Sequence, residues 1–360
     1  MAPISFARGA PSPECLDPAL VSDCVQAALA RDGRTILAYG QGGGYGPLRE
    51  LLAERHGVEA ARVFLTVGGL QGFGYYAAVQ LERRPGRVLV EAPTYDRPLK
   101  ILARHGAEVV ALPMDEEGLE LDALEAELRR AGPVSFLYTI PTFQNPSGRT
   151  LGEERRRRLA ALAAEHGLDV LEDDPYGLVR YEGQAPPSLH ALEGGERVTF
   201  TSSFSKTVAP GLRVGWFVVP AALAADFDER AVSTTISPPL LGQAAVHELF
   251  SRGGFEPNLE RIRGLLRARK DAMLGALESE MPDGVTWSRP EGGYFLWVEF
   301  GDGVDAGELL RRATEAGVTF VRGSDFFPAA GGGGSAARLA FSYESPERIA
   351  EGVALLASLL

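Results

Sequence analysis

Cysteine is almost missing from this chain of 360 residues: there are only Cys15 and Cys24, which form no CxxC pair. Two thiols cannot build a disulfide framework or a structural zinc site, so a reducing cytoplasm is the expected compartment. Long apolar runs are missing too. No uninterrupted apolar stretch approaches ~18 residues, and "MAPISFARGAPSPE" lacks a charged region followed by an apolar one, so neither a membrane span nor a secretory signal is expected. Positive charge is in deficit. The net charge of -12 disfavours nucleic acid and anionic lipid as partners, because both demand a basic surface. Histidine is sparse, and His56, His105, His166, His190 and His247 lie at no metal-ligand spacing, so no metal is expected.

What is present is a large apolar fraction, 45% of a chain long enough for two packed subdomains. Short runs rich in Val, Leu and Phe recur between helix-like stretches: "RVLVE" at 87–91, "AEVVAL" at 107–112, "VSFLYTI" at 134–140, "LDVLE" at 168–172, "RVTFTS" at 197–202 and "VGWFVV" at 214–219. Such alternation predicts a mostly parallel sheet covered by helices. The spacing of apolar residues predicts one long helix over 258–281. After it the pattern changes to a smaller α+β unit: "GGYFLWVEF", a helix near 305–316, "VTFVRG", the loop "AAGGGGSAA", "RLAFSY" and a last helix. The "GGGGS" at 331–335 lies between two strand-like runs and is expected to be a surface loop. The run "EERRRRLAALAAEHG" at 153–167 follows two acids into an amphipathic pattern and reads as a solvated helical face.

Chemistry concentrates at the ends of three of the predicted strands. "TSSFSKTVAPGLRVGW" carries Ser203, Ser205, Lys206 and Arg213; "PTFQNPSG" carries Asn145; "EDDPYG" carries Asp173, Asp174 and Tyr176. In an open parallel sheet, ligands bind outside the carboxyl ends of the strands, so these residues are expected to converge on one crevice.

With these motifs the sequence resembles the fold-type I pyridoxal-phosphate enzymes, specifically the class I/II aminotransferases of the 2-aminoadipate and kynurenine aminotransferase-like branch. The resemblance runs from "ISFARGAPSPE" through "YGPLRELLAERHGV", "EAPTYD", "QNPSG", "EDDPYG", "SFSKTVAPGLRVGW" and "GGYFLWVE" to "RLAFSY". It implies an α/β fold: a large domain, placed at 37–261, with a mostly parallel mixed sheet flanked by helices, and a discontinuous small α+β domain at 1–36 and 262–360. It also implies pyridoxal 5'-phosphate as cofactor.

The roles follow from what that cofactor needs. Lys206 is expected to hold its aldehyde, which calls for an amine of lowered pKa, and then to move the substrate's Cα proton. Asp173 is expected beside the pyridine nitrogen, with Tyr176 three residues on as in the family pattern, while Asp174 serves structure. Asn145 and Tyr176 would bond the phenolic oxygen. Ser203, Ser205 and Arg213 would hold the phosphate together with backbone N–H groups at Gly69 and Leu70 in "TVGGLQGF", where the family commonly has a small hydroxyl residue and a glutamine. Tyr95 would cover the ring face. Tyr39 matches the tyrosine that reaches the phosphate of the neighbouring subunit, which implies a homodimer with shared active sites. On the substrate side, Arg338 matches the arginine that clamps the α-carboxylate, with Gly9 N–H and Asn145 beside it. Arg8 departs from the family's small residue and is either an extra guanidinium at the entrance or a surface side chain.

The reaction implied is transfer of an amino group from an L-amino acid to a 2-oxo acid such as 2-oxoglutarate, by a ping-pong scheme. The same scaffold supports β-elimination, cyclisation and decarboxylation, and cofactor motifs do not distinguish them. A cofactor-sensing domain of the kind fused to winged-helix transcription regulators is a third alternative, against which the start at "ISFARGAP" and the acidic balance count. Relatives of this branch carry a longer N-terminal stretch over the side-chain pocket, so the donor amino acid is left open.

Overall fold

A computed structural model describes residues 3–328 and 332–360. At its centre is an eight-stranded sheet. From one edge to the other the strands are Val63–Val67, Val214–Val218, Val198–Ser203, Val170–Asp173, Val134–Thr139, Arg87–Ala92, Val109–Asp115 and Gly118–Leu119. The five strands from Val198–Ser203 to Val109–Asp115 are parallel, and the edges turn antiparallel. The six strands expected from the apolar runs are all present. Gly118–Leu119, only two residues long, carries no pattern that would reveal it.

Why the runs are almost continuously apolar is visible in where alternate residues go. Val88, Val90, Phe136, Tyr138 and Leu171 pack on one face with Phe73 and Phe227. Their neighbours Leu89, Leu137 and Val170 pack on the other with Leu159 and Leu162. A sheet covered on both faces has no solvent side, so both sets must be apolar. Each fully buried Val, Leu or Phe contributes about 1.5–3 kcal/mol.

The long helix is Phe255–Glu280, starting three residues before the expected 258, and the boundary assigned at 261/262 falls inside it. Beyond it an antiparallel sheet orders Thr286–Trp287, Phe295–Glu299, Ala336–Ala340 and Val321–Arg322. The closing helix Pro346–Ala357 packs on the long one. At the N-terminus Ile4–Ser5 pairs in parallel with Val318–Thr319, and Ala340 N donates to Phe6 O at 2.8 Å. That bond delivers residues 7–10 beside Arg338.

Two expectations need adjustment. The predicted loop 329–337 lies partly outside the described residues; of the rest, 332–335 form bends and turns at partly exposed positions, as expected of a surface loop, while Ala336 and Ala337 already belong to a strand. Ser335 O accepts from Phe300 N at 2.9 Å and Gly334 O from Ala306 N at 2.9 Å, so this end of the glycine run is bonded into the structure. The arginine run is not a wholly solvated face either. On the helix Glu153–His166, Arg156 is 1% exposed; its Nε donates to Leu151 O at 2.7 Å and its Nη2 to Pro141 O at 2.8 Å and Thr142 Oγ1 at 2.7 Å. Four consecutive arginines on a helix cover every direction, so at least one must face inward.

Candidate active site

Because the five central strands run the same way, the segments after Ala92, Thr139, Asp173 and Ser203 rise from one rim of the sheet. They enclose a cleft of about 430 Å³, closed on the far side by Ala7, Gly9, Phe295 and Arg338. A larger cleft of about 760 Å³ between Arg149 and Trp287 holds none of the predicted residues. Convergent polar groups, not size, locate the site.

At the floor, Asp173 ends its strand and accepts the Tyr138 hydroxyl at 2.8 Å. Burial pushes its carboxyl up to about 7; Tyr138 pulls the other way, and Asp174 and Glu91 add to the rise. Asp174 turns away: its Oδ1 accepts Gly177 N at 2.7 Å and its own N donates to Thr201 O at 2.8 Å, closing the turn after the strand. The alternation of a strand thus separates two adjacent carboxylates, one to the cleft and one to the loop.

Above the floor stands Lys206, partly buried in the cleft wall, its Nζ donating to Gly9 O at 2.9 Å. Burial lowers its pKa to about 8, helped by the positive charges of Arg338 and Arg213. The rings of Tyr294 and Tyr176 flank the ammonium at 5.1 and 5.7 Å. Tyr176 is buried against Tyr294 and Phe295, which drives its hydroxyl pKa far up. Tyr95, at the N-cap of the helix Asp96–Arg104, lines the cleft half-buried, its pKa raised to about 12 by burial and by Asp96 and Asp173.

One corner is rich in donors. Ser203 Oγ and Ser205 Oγ lie 2.8 Å apart. Arg213, in the left-handed region at φ 54, reaches over to donate to Val67 O at 3.2 Å. There the helix Gly69–Arg83 begins, and the backbone N–H groups of Gly69 and Leu70 stand in its first turn without intrahelical partners. The preceding Gly68 has φ 76, and a Cβ there would collide with the Arg213 guanidinium, so only glycine fits. Gln71 Oε1 is turned back onto Val67 N at 2.8 Å, and Leu70 is the side chain that lines the cleft.

At the opposite corner, Arg338 is 7% exposed and lies over the Phe295 ring at 4.1 Å. Its Nη1 donates to Asn145 Oδ1 at 2.9 Å and its Nη2 to Ala7 O at 2.8 Å, while its buried Nε has no partner among the described residues. A Cβ on Gly9 would sit 2.6 Å from Phe295 Cζ, so the backbone approaches Arg338 only because residue 9 is glycine.

Two sequence candidates lie outside this cleft. Arg8 is exposed and stacks over the Tyr343 ring at 4.2 Å, between Ala7 and Gly9 of the cleft lining. Tyr39 is 84% exposed, on a patch with Leu37 and Ile236 held together by Gly40 N donating to Ser237 Oγ. Tyr138 and Tyr294 went unrecognised in the sequence because each sits inside an apolar run and reads as core.

A family model for aminotransferase class I and II matches residues 4–352. The chain belongs to the class I and II aminotransferases. Among its relatives is the aromatic-amino-acid aminotransferase 1 of Thermococcus litoralis, 35% identical over 99% of this chain and 88% of that one. Of solved structures, the α-aminoadipate aminotransferase LysN from Thermus thermophilus, complexed with N-(5'-phosphopyridoxyl)-L-leucine, superposes with a TM-score of 0.93 at 38% identity, covering 99% of this aminotransferase and 92% of that chain. The Pyrococcus horikoshii kynurenine aminotransferase gives 0.94 at 35% identity over 100% and 91% of the two chains.

Proposed function

We propose that this aminotransferase uses pyridoxal 5'-phosphate to move the amino group of an L-amino acid to a 2-oxo acid such as 2-oxoglutarate in a ping-pong reaction. The observation that carries the reading is Lys206: a partly buried amine of pKa about 8 whose charged neighbours are both positive, set in one cleft with Asp173. Burying a lysine this way is costly without a use for the neutral amine. The residues fit the cofactor. A buried carboxylate awaits a protonated ring nitrogen, hydroxyls and helix N–H groups await a phosphate, and a guanidinium with an unpartnered Nε awaits a carboxylate.

When bound, pyridoxal phosphate supplies an aldehyde for the amino group and a ring that withdraws electrons from Cα. Lys206 Nζ would hold that aldehyde, and as a free amine would take and return the proton at the substrate Cα. Asp173 sets a negative charge against the ring nitrogen. Asn145 and Tyr176 bond the phenolic oxygen, and Tyr95 covers the ring. Ser203, Ser205, Arg213 and the N–H groups of Gly69 and Leu70 hold the phosphate. Arg338 grips the α-carboxylate, with Gly9 N–H and Asn145 at its side.

The apolar patch around Leu37, Tyr39 and Ile236 supports a homodimer in which Tyr39 enters the neighbouring site. We assign 37–261 to the large domain and 1–36 with 262–360 to the small one. Cytoplasmic location accords with two free cysteines, and among the described residues no helix is long and apolar enough to cross a membrane.

Absorbance of the pyridoxal-phosphate-loaded protein, recorded as L-amino acids are added without any oxo acid, tests the reading. Conversion of the visible band to the ultraviolet band of pyridoxamine phosphate is expected and identifies the donor. Release of ammonia, carbon dioxide or a cyclised product without that conversion would assign the site to lyase, decarboxylase or cyclase chemistry instead. Arg338→Ala is expected to raise KM for every donor and acceptor by about 10- to 100-fold, the effect of losing a charged hydrogen-bond pair. Steady-state kinetics with an unchanged KM would remove it from the carboxylate role.

A further inference from the structure

A third carboxylate is built into the rim, and none of the roles above uses it. Glu91, on the strand Arg87–Ala92, is 2% exposed. The parallel register that pairs Val90 with Tyr138 sets Glu91 next to Thr139 at the end of the neighbouring strand. Its oxygens accept from Thr139 Oγ1, from Ile140 N at 3.2 Å and from Gln144 Nε2 at 3.0 Å. Ile140 N–H and the Gln144 amide nitrogen can only donate, and both meet the same Glu91 oxygen, which must therefore accept. Those donors come from both ends of the segment that climbs from the sheet to Asn145.

Gln144 passes the constraint on. Its Nε2 also donates to Pro93 O at 2.8 Å, its Oε1 accepts Ser147 N at 2.8 Å, its N donates to Arg149 O at 2.9 Å and its O accepts Gly148 N at 2.6 Å. With each of these groups engaged, the residue has no freedom to rotate. The next residue, Asn145, therefore meets Arg338 Nη1 in one defined orientation.

We infer that Glu91 is a positioning residue: acting through Gln144, it fixes Asn145 against Arg338 and so sets the grip on the α-carboxylate shared by donor and acceptor. The inference rests on the Arg338 role proposed above. A Glu91→Gln change keeps the shape: its carbonyl oxygen can still face Ile140 N–H and Gln144 Nε2–H while its NH2 turns to the Thr139 hydroxyl. A neutral amide oxygen is a weaker acceptor than a carboxylate, so Gln144, and Asn145 with it, is held less firmly.

The test is calorimetric binding of carboxylates that cannot react (butyrate, glutarate and phenylpropionate) to the pyridoxal-phosphate-loaded enzyme, alongside steady-state kinetics. Glu91→Gln is expected to weaken each carboxylate and raise KM for donor and acceptor by about tenfold, with a much smaller change in kcat. In the Asn145→Ala background, adding Glu91→Gln is expected to weaken binding by less than about twofold, because both act on one contact. Fully multiplicative effects, or a lowered melting temperature with unchanged dissociation constants and KM, would overturn the inference. Should Glu91→Gln fail to accumulate as folded protein, Gln144→Ala cuts the same link from the other end and is read in the same cycle. If Arg338→Ala leaves carboxylate binding unchanged, the carboxylate role falls and this inference with it. If Arg338→Ala weakens binding and Glu91→Gln does not, only the inference falls.

Discussion

Lys206→Ala is expected to give a folded protein that binds pyridoxal phosphate without covalent attachment and turns over amino acids at least about 10⁴-fold more slowly, since anchor and proton carrier are lost together. The fold should survive because the ammonium contributes little to it: one hydrogen bond, to Gly9 O, against the cost of burying a charge beside Arg338 and Arg213. The sign of the linkage can be worked out. A pKa lowered to about 8 from its ordinary 10.5 means that the unfolded chain binds more protons between those values. The burial cost is fully present below pH 8 and disappears as pH rises through 10.5. At about 1.4 kcal/mol per unit it amounts to roughly 3 kcal/mol, so the cofactor-free variant should melt above the wild type at pH 7. Conversely, covalent capture of the cofactor by wild-type protein should accelerate as pH rises through about 8, where the neutral amine becomes the main species. Borohydride reduction followed by peptide mass measurement reads the attachment point. Label on any residue other than Lys206, or substantial turnover by the variant, would overturn the assignment.

How much of this was legible in the sequence differs from element to element. The parallel strands were, because a sheet buried on both faces leaves continuous apolar runs, and strand order then brings Asn145, Asp173 and Lys206 to one rim. Period-two alternation also requires Asp173 and Asp174 to diverge, but which one faces the cleft depends on which face the helices leave open there. Arg156 was misread because a charge run looks solvated, whereas a helix turns one of four arginines inward to carbonyls that only the folded loop presents. Tyr138 and Glu91 were out of reach for the same reason. Inside an apolar strand a tyrosine or glutamate reads as packing or as an irregularity, and its hydroxyl or carboxylate acquires meaning only when a neighbouring strand, distant in sequence, supplies the partner.

Asp173→Asn is expected to separate activity from stability most sharply. In the cofactor-free protein the Asp173 carboxylate is largely removed from water with one hydroxyl donor, and its pKa stands at about 7 against an ordinary 3.8. The folded state therefore holds a proton that the unfolded state has released throughout pH 3.8 to 7, so this group makes the protein less stable as pH rises across that window. Above pH 7 the cost reaches its full size, on the order of 4 kcal/mol. Asparagine carries no charge and can still accept the Tyr138 hydroxyl, so the cofactor-free variant should melt above the wild type at pH 8, with the gap closing towards pH 4. The native carboxylate recovers its burial cost only opposite a protonated ring nitrogen, so pyridoxal phosphate should stabilise the wild type more than the variant. Turnover should fall by about 10²–10³-fold, the usual consequence of removing a preorganised charge from a reacting centre. The proposed role predicts a trade between stability and activity at this acid, and melting curves at the two pH values measure it directly. A melting gap independent of pH, or a variant that keeps wild-type kcat, would take Asp173 out of this role.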